Sequence, residues 1–165
     1  VTSVFAHGGI VHIAANSIGI FFFGQVVERR IGTKRFVALF LVSGAAAGLA
    51  QIGASLYLTP GIVTGVVGAS GALLAIMGVL TILNPGLTVY LYFFIPVPIW
   101  LLTIGFAAFS LLQGFGAFQG GGNVAHWAHL AGLAIGLLYG LYVQDQVQPP
   151  QQLQFGGGRR GGGRF

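Results

Sequence analysis

The sequence predicts an all-α, polytopic membrane protein with about five membrane-spanning helices. Of its 165 residues, 55% are hydrophobic and only 5% are charged, whereas roughly a quarter of the residues of a soluble domain are charged. A spanning helix needs about 20 mostly apolar residues. Five segments approach that length, at about 11–27, 36–58, 62–83, 97–113 and 124–143.

The connections between these segments carry their own signals. Asn84-Pro85-Gly86 predicts a tight turn. Pro96 and Pro98 disfavour helix before the fourth span, so residues 90–95 are expected to be extended at the membrane interface. The chain becomes polar and rich in glycine after the fifth span. We therefore expect a membrane core over 1–146 and a disordered Gly/Arg-rich tail over 147–165.

The seven basic residues predict the orientation. They occupy only the connection at 28–35 and the tail, at Arg29, Arg30, Lys34, Arg35, Arg159, Arg160 and Arg164. These two regions lie on one side of the membrane, which the positive-inside rule makes cytoplasmic. Spans one, three and five then run from outside to inside. This distribution indicates membrane topology, so no nucleic-acid partner is expected, and the expected location is the cell membrane.

Unusual polar residues collect near the outer ends of these three spans. His7, His12 and Asn16 lie at the start of the first span, Ser70 early in the third, and His126 with His129 early in the fifth. Ionisable groups inside a membrane are costly, and they indicate a functional site. Their common depth predicts one polar site close to the outer surface.

Small residues indicate which helices meet at this site. On the fifth span, glycines form a stripe along one face after His129, at Gly132, Gly136 and Gly140. On the third span, small residues form a matching stripe after Ser70, at Gly71, Ala75 and Gly78. Such stripes let two helices approach until their backbones nearly touch. The packing is predicted to bring Ser70 within hydrogen-bonding distance of His129.

This pair predicts nucleophilic catalysis without a carboxylate. A serine hydroxyl becomes a good nucleophile when a base takes its proton, and a neutral histidine can do so. The only two acids, Glu28 and Asp145, lie at the cytoplasmic ends of spans. Any serine hydrolase here must therefore use a Ser–His dyad, with His12, Asn16 and the Ser70 backbone N–H available to bind an oxyanion. Cysteine is absent, which excludes a cysteine nucleophile, thiolate metal sites and disulfides.

Four motifs in order, HGGIVHIAANSIG, VVERRIG, GASGALLAIMG and AHLAGLAIG, resemble the rhomboid family of intramembrane serine proteases. The resemblance runs from about residue 5 to residue 142. It implies a catalytic dyad of Ser70 and His129, with His12 and Asn16 stabilising the transition state. It also implies accessory roles for His7 and Gly68 and a structural role for Glu28 with Arg30. The implied reaction is cleavage of a peptide bond in or beside the transmembrane segment of a membrane-protein substrate, with no cofactor or metal.

Two departures from the family pattern stand out. The rhomboid core has six spans, so we expect this chain to lack the first span and the loop that follows it. Leu74 stands four residues after Ser70, where family members often place a tyrosine against the catalytic histidine.

Two other functions remain open at this point. The four histidines could bind a metal or haem, although no carboxylate is near enough to support such ligands. Alternatively, the helices could bind unstable transmembrane segments of client proteins without catalysis. A client binder would keep its function after Ser70→Ala, whereas a protease would not.

Overall fold

Five helices and one short β-hairpin make up the described part of the chain. The computed structural model describes residues 2–58, 69–91, 94–116 and 124–147. The helices are α1 (Ile10–Ile31), α2 (Thr33–Tyr57), α3 (Ser70–Leu83), α4 (Ile99–Gly114) and α5 (His126–Val143). Strands β1 (Thr88–Leu91) and β2 (Ile95–Pro98) pair antiparallel between α3 and α4. Short 3₁₀ turns span Thr2–Phe5 and Gln144–Gln146. The prediction of an all-α membrane helix bundle is confirmed.

The helices differ in length more than the sequence predicted. The helices that begin at Ile10, Thr33 and His126 are long and apolar enough to cross a membrane. By contrast, α3 has 14 residues and α4 has 16, which gives lengths of about 21 and 24 Å. The third predicted span started at 62, but the helix begins at Ser70, and residues 59–68 lie outside the described ranges. The predicted tail also lies almost wholly outside them, so the domain division stays a prediction.

The stretch before α4 is a hairpin rather than a single extended segment. Tyr90 pairs with Pro96, and Thr88 pairs with Pro98. Proline lacks a backbone N–H, and it is tolerated in edge strands that leave that position unpaired. Pro98 then serves as the N-cap of α4, so this helix begins two residues later than predicted.

A single residue connects α1 to α2. Gly32 has a φ of 83°, a left-handed conformation that favours glycine. Its N–H donates to the Glu28 carbonyl at the end of α1, and its carbonyl accepts from the Phe36 N–H in the first turn of α2. The chain therefore reverses direction within one residue, and α1 and α2 are adjacent and antiparallel.

The short helix α3 is the centre of the bundle, and its closest partner is α5. Gly132 lies against the Gly71 carbonyl, and Gly136 lies against the Ala75 carbonyl. A Cβ built on Gly78 would meet the Leu133 carbonyl oxygen at 2.8 Å. The predicted small-residue stripes thus bring these two backbones into contact. Because the contacts advance together along both helices, α3 and α5 are parallel.

Helix α1 runs parallel to the same pair. Gly19 packs against the Leu73 side chain near the start of α3, and Arg30 donates to the Leu83 carbonyl at its end. The apolar core fills the half of the bundle near that end and is formed mainly by α3, with contributions from α1, α2, α4 and α5. Helices α1, α3 and α5 therefore share one direction, with Ser70 at the end away from this core.

We expect Gly136→Ala to destabilise the fold by about 1–3 kcal/mol, because its methyl group would overlap the Ala75 carbonyl and force α3 and α5 apart. The matched control is Gly105→Ala on α4, where a Cβ would meet nothing within 4 Å. Unfolding by SDS titration in detergent micelles measures both. Equal midpoints for the two variants would contradict the close packing of α3 and α5.

Candidate active site

Ser70 and His129 form a direct hydrogen bond. Ser70 Oγ lies 2.8 Å from His129 Nε2, and the bond joins the first residue of α3 to the first turn of α5. Both residues are half-buried, so bulk water has restricted access to them. The glycine contacts one turn below explain the approach, because a larger residue at Gly132 would separate the two helices.

The position of Ser70 at a helix start gives it a favourable electrostatic environment. Within the described residues, the first backbone bond of α3 runs from the Leu73 N–H to the Ala69 carbonyl. The N–H groups of Ser70, Gly71 and Ala72 precede this bond, and none of them has an acceptor among the described residues. These groups and the helix dipole favour negative charge at this point. An oxyanion formed on a carbonyl attacked by Ser70 would lie close to them.

The start of α5 is held by a side chain from α2. Gln51 Oε1 accepts hydrogen bonds from the backbone N–H groups of Trp127 (3.1 Å) and Ala128 (3.3 Å). Gln51 is 5% exposed, and it satisfies two N–H groups that the helix itself cannot. This contact fixes the turn that carries His129. The sequence analysis did not select Gln51, although a lone amide within an apolar span is a sufficient signal.

Asn16 lies at the depth of Ser70 on the neighbouring helix. Gly19 of α1 packs against Leu73 of α3. Asn16 and Ser70 each lie about one turn before these residues on parallel helices, so they lie at the same level. Asn16 is 5% exposed, and its Nδ2 group has no hydrogen-bond partner among the described residues. A donor is therefore available at the depth of the serine. No hydrogen bond joins Asn16 directly to Ser70 or His129 in the described ranges.

The histidines before and within the first turn of α1 form a separate pair. His7 and His12 pack edge to face, with 5.2 Å between ring centroids. His7 Nδ1 lies 3.2 Å from the Phe5 carbonyl, and His12 Nδ1 accepts from the Gly8 N–H at 3.4 Å. His7 thus contacts the loop and the other histidine, and its accessory role stays a prediction. Gly68 lies outside the described residues.

The two acids lie far from Ser70. Glu28 accepts a hydrogen bond from Thr33 at the α1–α2 turn, and Asp145 is exposed after α5. Sixteen residues of mostly helical chain separate His129 from Asp145, about 24 Å at the helical rise. Among the described residues, no three His, Asp or Glu side chains converge to hold a metal ion. The metal alternative therefore lacks a ligand set in that part of the chain.

Leu74 is buried in the apolar core at 5% exposure, one turn below Ser70. Its side chain belongs to the core cluster at the position where family members often place a tyrosine. The catalytic roles of Ser70, His129, His12 and Asn16 remain predictions that this geometry supports.

We expect Gln51→Leu to expose the start of α5 to exchange, because the Trp127 and Ala128 N–H groups would lose their acceptor. Losing such an acceptor costs about 1–3 kcal/mol. Hydrogen–deuterium exchange of the peptide that contains these two residues measures the effect. The control is Gln146→Leu, which removes an exposed amide whose one partner among the described residues is the Tyr142 carbonyl. Unchanged exchange at Trp127 and Ala128 in Gln51→Leu would contradict the capping role.

Comparison with known proteins gives a consistent assignment. The Rhomboid domain family model matches residues 1–146. The chain is 34% identical over 152 residues to RHOMBOID-like protein 12, mitochondrial, from Arabidopsis thaliana, covering 82% of this chain and 43% of that protein. It is 30% identical over 152 residues to Rhomboid protein 1, mitochondrial, from Saccharomyces cerevisiae, covering 91% and 43%. Rhomboid protease GluP from Bacillus subtilis is 34% identical over 73 residues, which are 44% of this chain and 14% of that protein.

The chain thus spans less than half the length of these relatives. The family model nevertheless covers every helix of the described bundle, including the helices that carry Ser70 and His129. The resemblance seen in the four sequence motifs is confirmed. The chain belongs to the rhomboid family.

Proposed function

We propose that this protein is an intramembrane serine endopeptidase. The observation that carries the proposal is the 2.8 Å contact between Ser70 Oγ and His129 Nε2 at the start of a short, buried helix. A hydroxyl bonded to an imidazole inside an apolar bundle is suited to proton transfer and attack on a carbonyl. The relative from Bacillus subtilis is named a rhomboid protease, and this name supports the same reaction class.

In the proposed mechanism, Ser70 Oγ attacks the carbonyl carbon of a substrate peptide bond while His129 Nε2 takes its proton. The tetrahedral intermediate carries an oxyanion. It is stabilised by the Ser70 backbone N–H at the start of α3, by Asn16 Nδ2 and by His12. His129 then protonates the leaving amine, which leaves an acyl ester on Ser70. Water hydrolyses this ester, again with His129 as the base.

The proposed substrates are transmembrane segments of other membrane proteins. The spanning helices indicate a chain embedded in a bilayer, and Ser70 is the first residue of a helix surrounded by the other helices of the bundle. A substrate would therefore approach within or beside the membrane. The cell-membrane location stays a prediction, because two of the relatives are named mitochondrial.

A fluorophosphonate probe tests the activated serine in the purified protein. We expect the wild type to be labelled, Ser70→Ala and His129→Ala to be unlabelled, and Asn16→Ala to be labelled about 100-fold more slowly. Mass spectrometry should locate the adduct on Ser70. The same variants should lose cleavage of a transmembrane substrate in proteoliposomes.

The matched control is Glu28→Gln, which removes one of the two acids yet should keep labelling, because the dyad uses no carboxylate. Size-exclusion chromatography checks that each variant is folded. A folded wild-type protein without labelling would reject the protease proposal and favour client binding. Loss of labelling in folded Glu28→Gln would reject the carboxylate-free mechanism.

We further propose that the α1–α2 turn and the end of α5 face the cytoplasm, with Ser70 toward the opposite side. The basic residues of the turn support this orientation through the positive-inside rule. The natural sequence of this chain has no cysteine, so single cysteines report the side directly. In intact host cells, an impermeant maleimide should label Tyr57→Cys but not Lys34→Cys or Gln144→Cys. The reverse pattern would overturn the orientation.

A further inference from the structure

Three polar groups at the outer end of α4 and the start of α5 have no hydrogen-bond partner among the described residues. They are Ser110 Oγ, Gln113 Oε1 and His126 Nδ1. Ser110 is 1% exposed and His126 is 7% exposed, so neither side chain is solvated by bulk water. The mechanism above uses none of the three. Their position in an otherwise apolar interface therefore needs a separate explanation.

Contacts between the two helices place these groups at one junction. The Phe109 ring packs edge to face on the His126 ring, with 5.7 Å between centroids. Five residues further along α4, Gly114 lies against the Trp127 indole. Ser110 and Gln113 fall between these two contact residues, three positions apart on one face of α4. The three polar groups therefore line the same α4–α5 junction.

We propose that the α4–α5 junction binds water. An unpaired buried donor or acceptor costs about 1–3 kcal/mol, and three such groups together would be a severe defect. Bound water normally makes two to four hydrogen bonds to polar groups of this kind. A hydroxyl, an amide oxygen and an imidazole nitrogen provide both donors and acceptors. One or two water molecules would satisfy all three groups.

This site adjoins the proposed catalytic base. The His126 and His129 ring centroids are 6.1 Å apart at an interplanar angle of 86°. No hydrogen bond joins the two side chains within the described ranges. Two hydrogen bonds of about 2.8 Å through one water would span such a gap. The junction water can therefore pass to His129 without crossing the apolar core.

The function of this water rests on the proposed protease activity, where water is the second substrate. His129 Nε2 takes one proton from the water, and the water oxygen bonds to the acyl carbon on Ser70. The bond between that carbon and Ser70 Oγ breaks, and His129 returns the proton to Oγ. The products are a free carboxyl group and the original serine. His126 and Ser110 act here as positioning residues for the water.

Ser110→Ala and His126→Phe separate the two half-reactions. Fluorophosphonate labelling forms the covalent adduct without a hydrolytic water, whereas turnover of a peptide substrate requires one. We expect the labelling rate to stay within about twofold of wild type while turnover falls by about tenfold or more. The acyl ester on Ser70 should then accumulate and be visible by mass spectrometry.

Thr103→Val is the matched control, because it removes another buried hydroxyl from α4. The Thr103 hydroxyl already has protein partners, Thr81 and the Ile99 carbonyl. Any effect should lower labelling and turnover by the same factor. If Ser110→Ala and His126→Phe behave like this control, or turn over substrate at the wild-type rate, the proposed role of the water is overturned.

Radiolytic hydroxyl-radical footprinting tests the water site without catalysis. Radicals formed from bound water oxidise adjacent side chains, so His126 should be modified in folded Ser70→Ala protein. Adding Ser110→Ala should lower that modification. An unmodified His126 would overturn the site itself. Failure of the protease proposal would instead appear as a folded wild type whose Ser70 is not labelled.

Discussion

The contact between the backbones of α3 and α5 is the constraint on which the rest of this structure depends. The carbonyls of Gly71 and Ala75 lie against Gly132 and Gly136. Lipid supplies no hydrophobic force between helices, so close van der Waals packing must hold this pair together. The same approach sets the separation of Ser70 and His129. Stability and the candidate chemistry therefore use one geometric feature, and a methyl group added there would disturb both.

The bundle separates apolar and polar packing along its length. Large apolar side chains fill the half near Leu83 and Val143, where Arg30 satisfies the end of α3. Polar groups collect in the half near Ser70, where Gln51 satisfies the start of α5. An apolar core tolerates few unpaired polar atoms. This division lets the core supply stability while the other half holds ionisable groups.

Much of the site could be predicted because it depends on local spacing. The glycine stripes and the common depth of Ser70 and His129 follow from the helical repeat and from counting spans. The start of α3 at Ser70 could not be predicted, since the apolar stretch before it resembles a helix in composition. Gln51 could have been selected as a lone amide within an apolar span, but its partner could not be predicted, because the contact joins residues 76 positions apart. Contacts of that kind depend on how helices pack, which hydropathy does not report.

The short length of α4 has a consequence for the surrounding lipid. Its exposed side chains, among them Trp100, Phe106 and Phe109, form an apolar face about 24 Å long at the helical rise. A typical hydrocarbon layer is about 30 Å thick. Where lipid contacts α4 alone, we expect the bilayer to thin or polar headgroups to be drawn toward the helix ends. A transmembrane segment that reaches such a place would enter a thinner layer, where its own ends are closer to water.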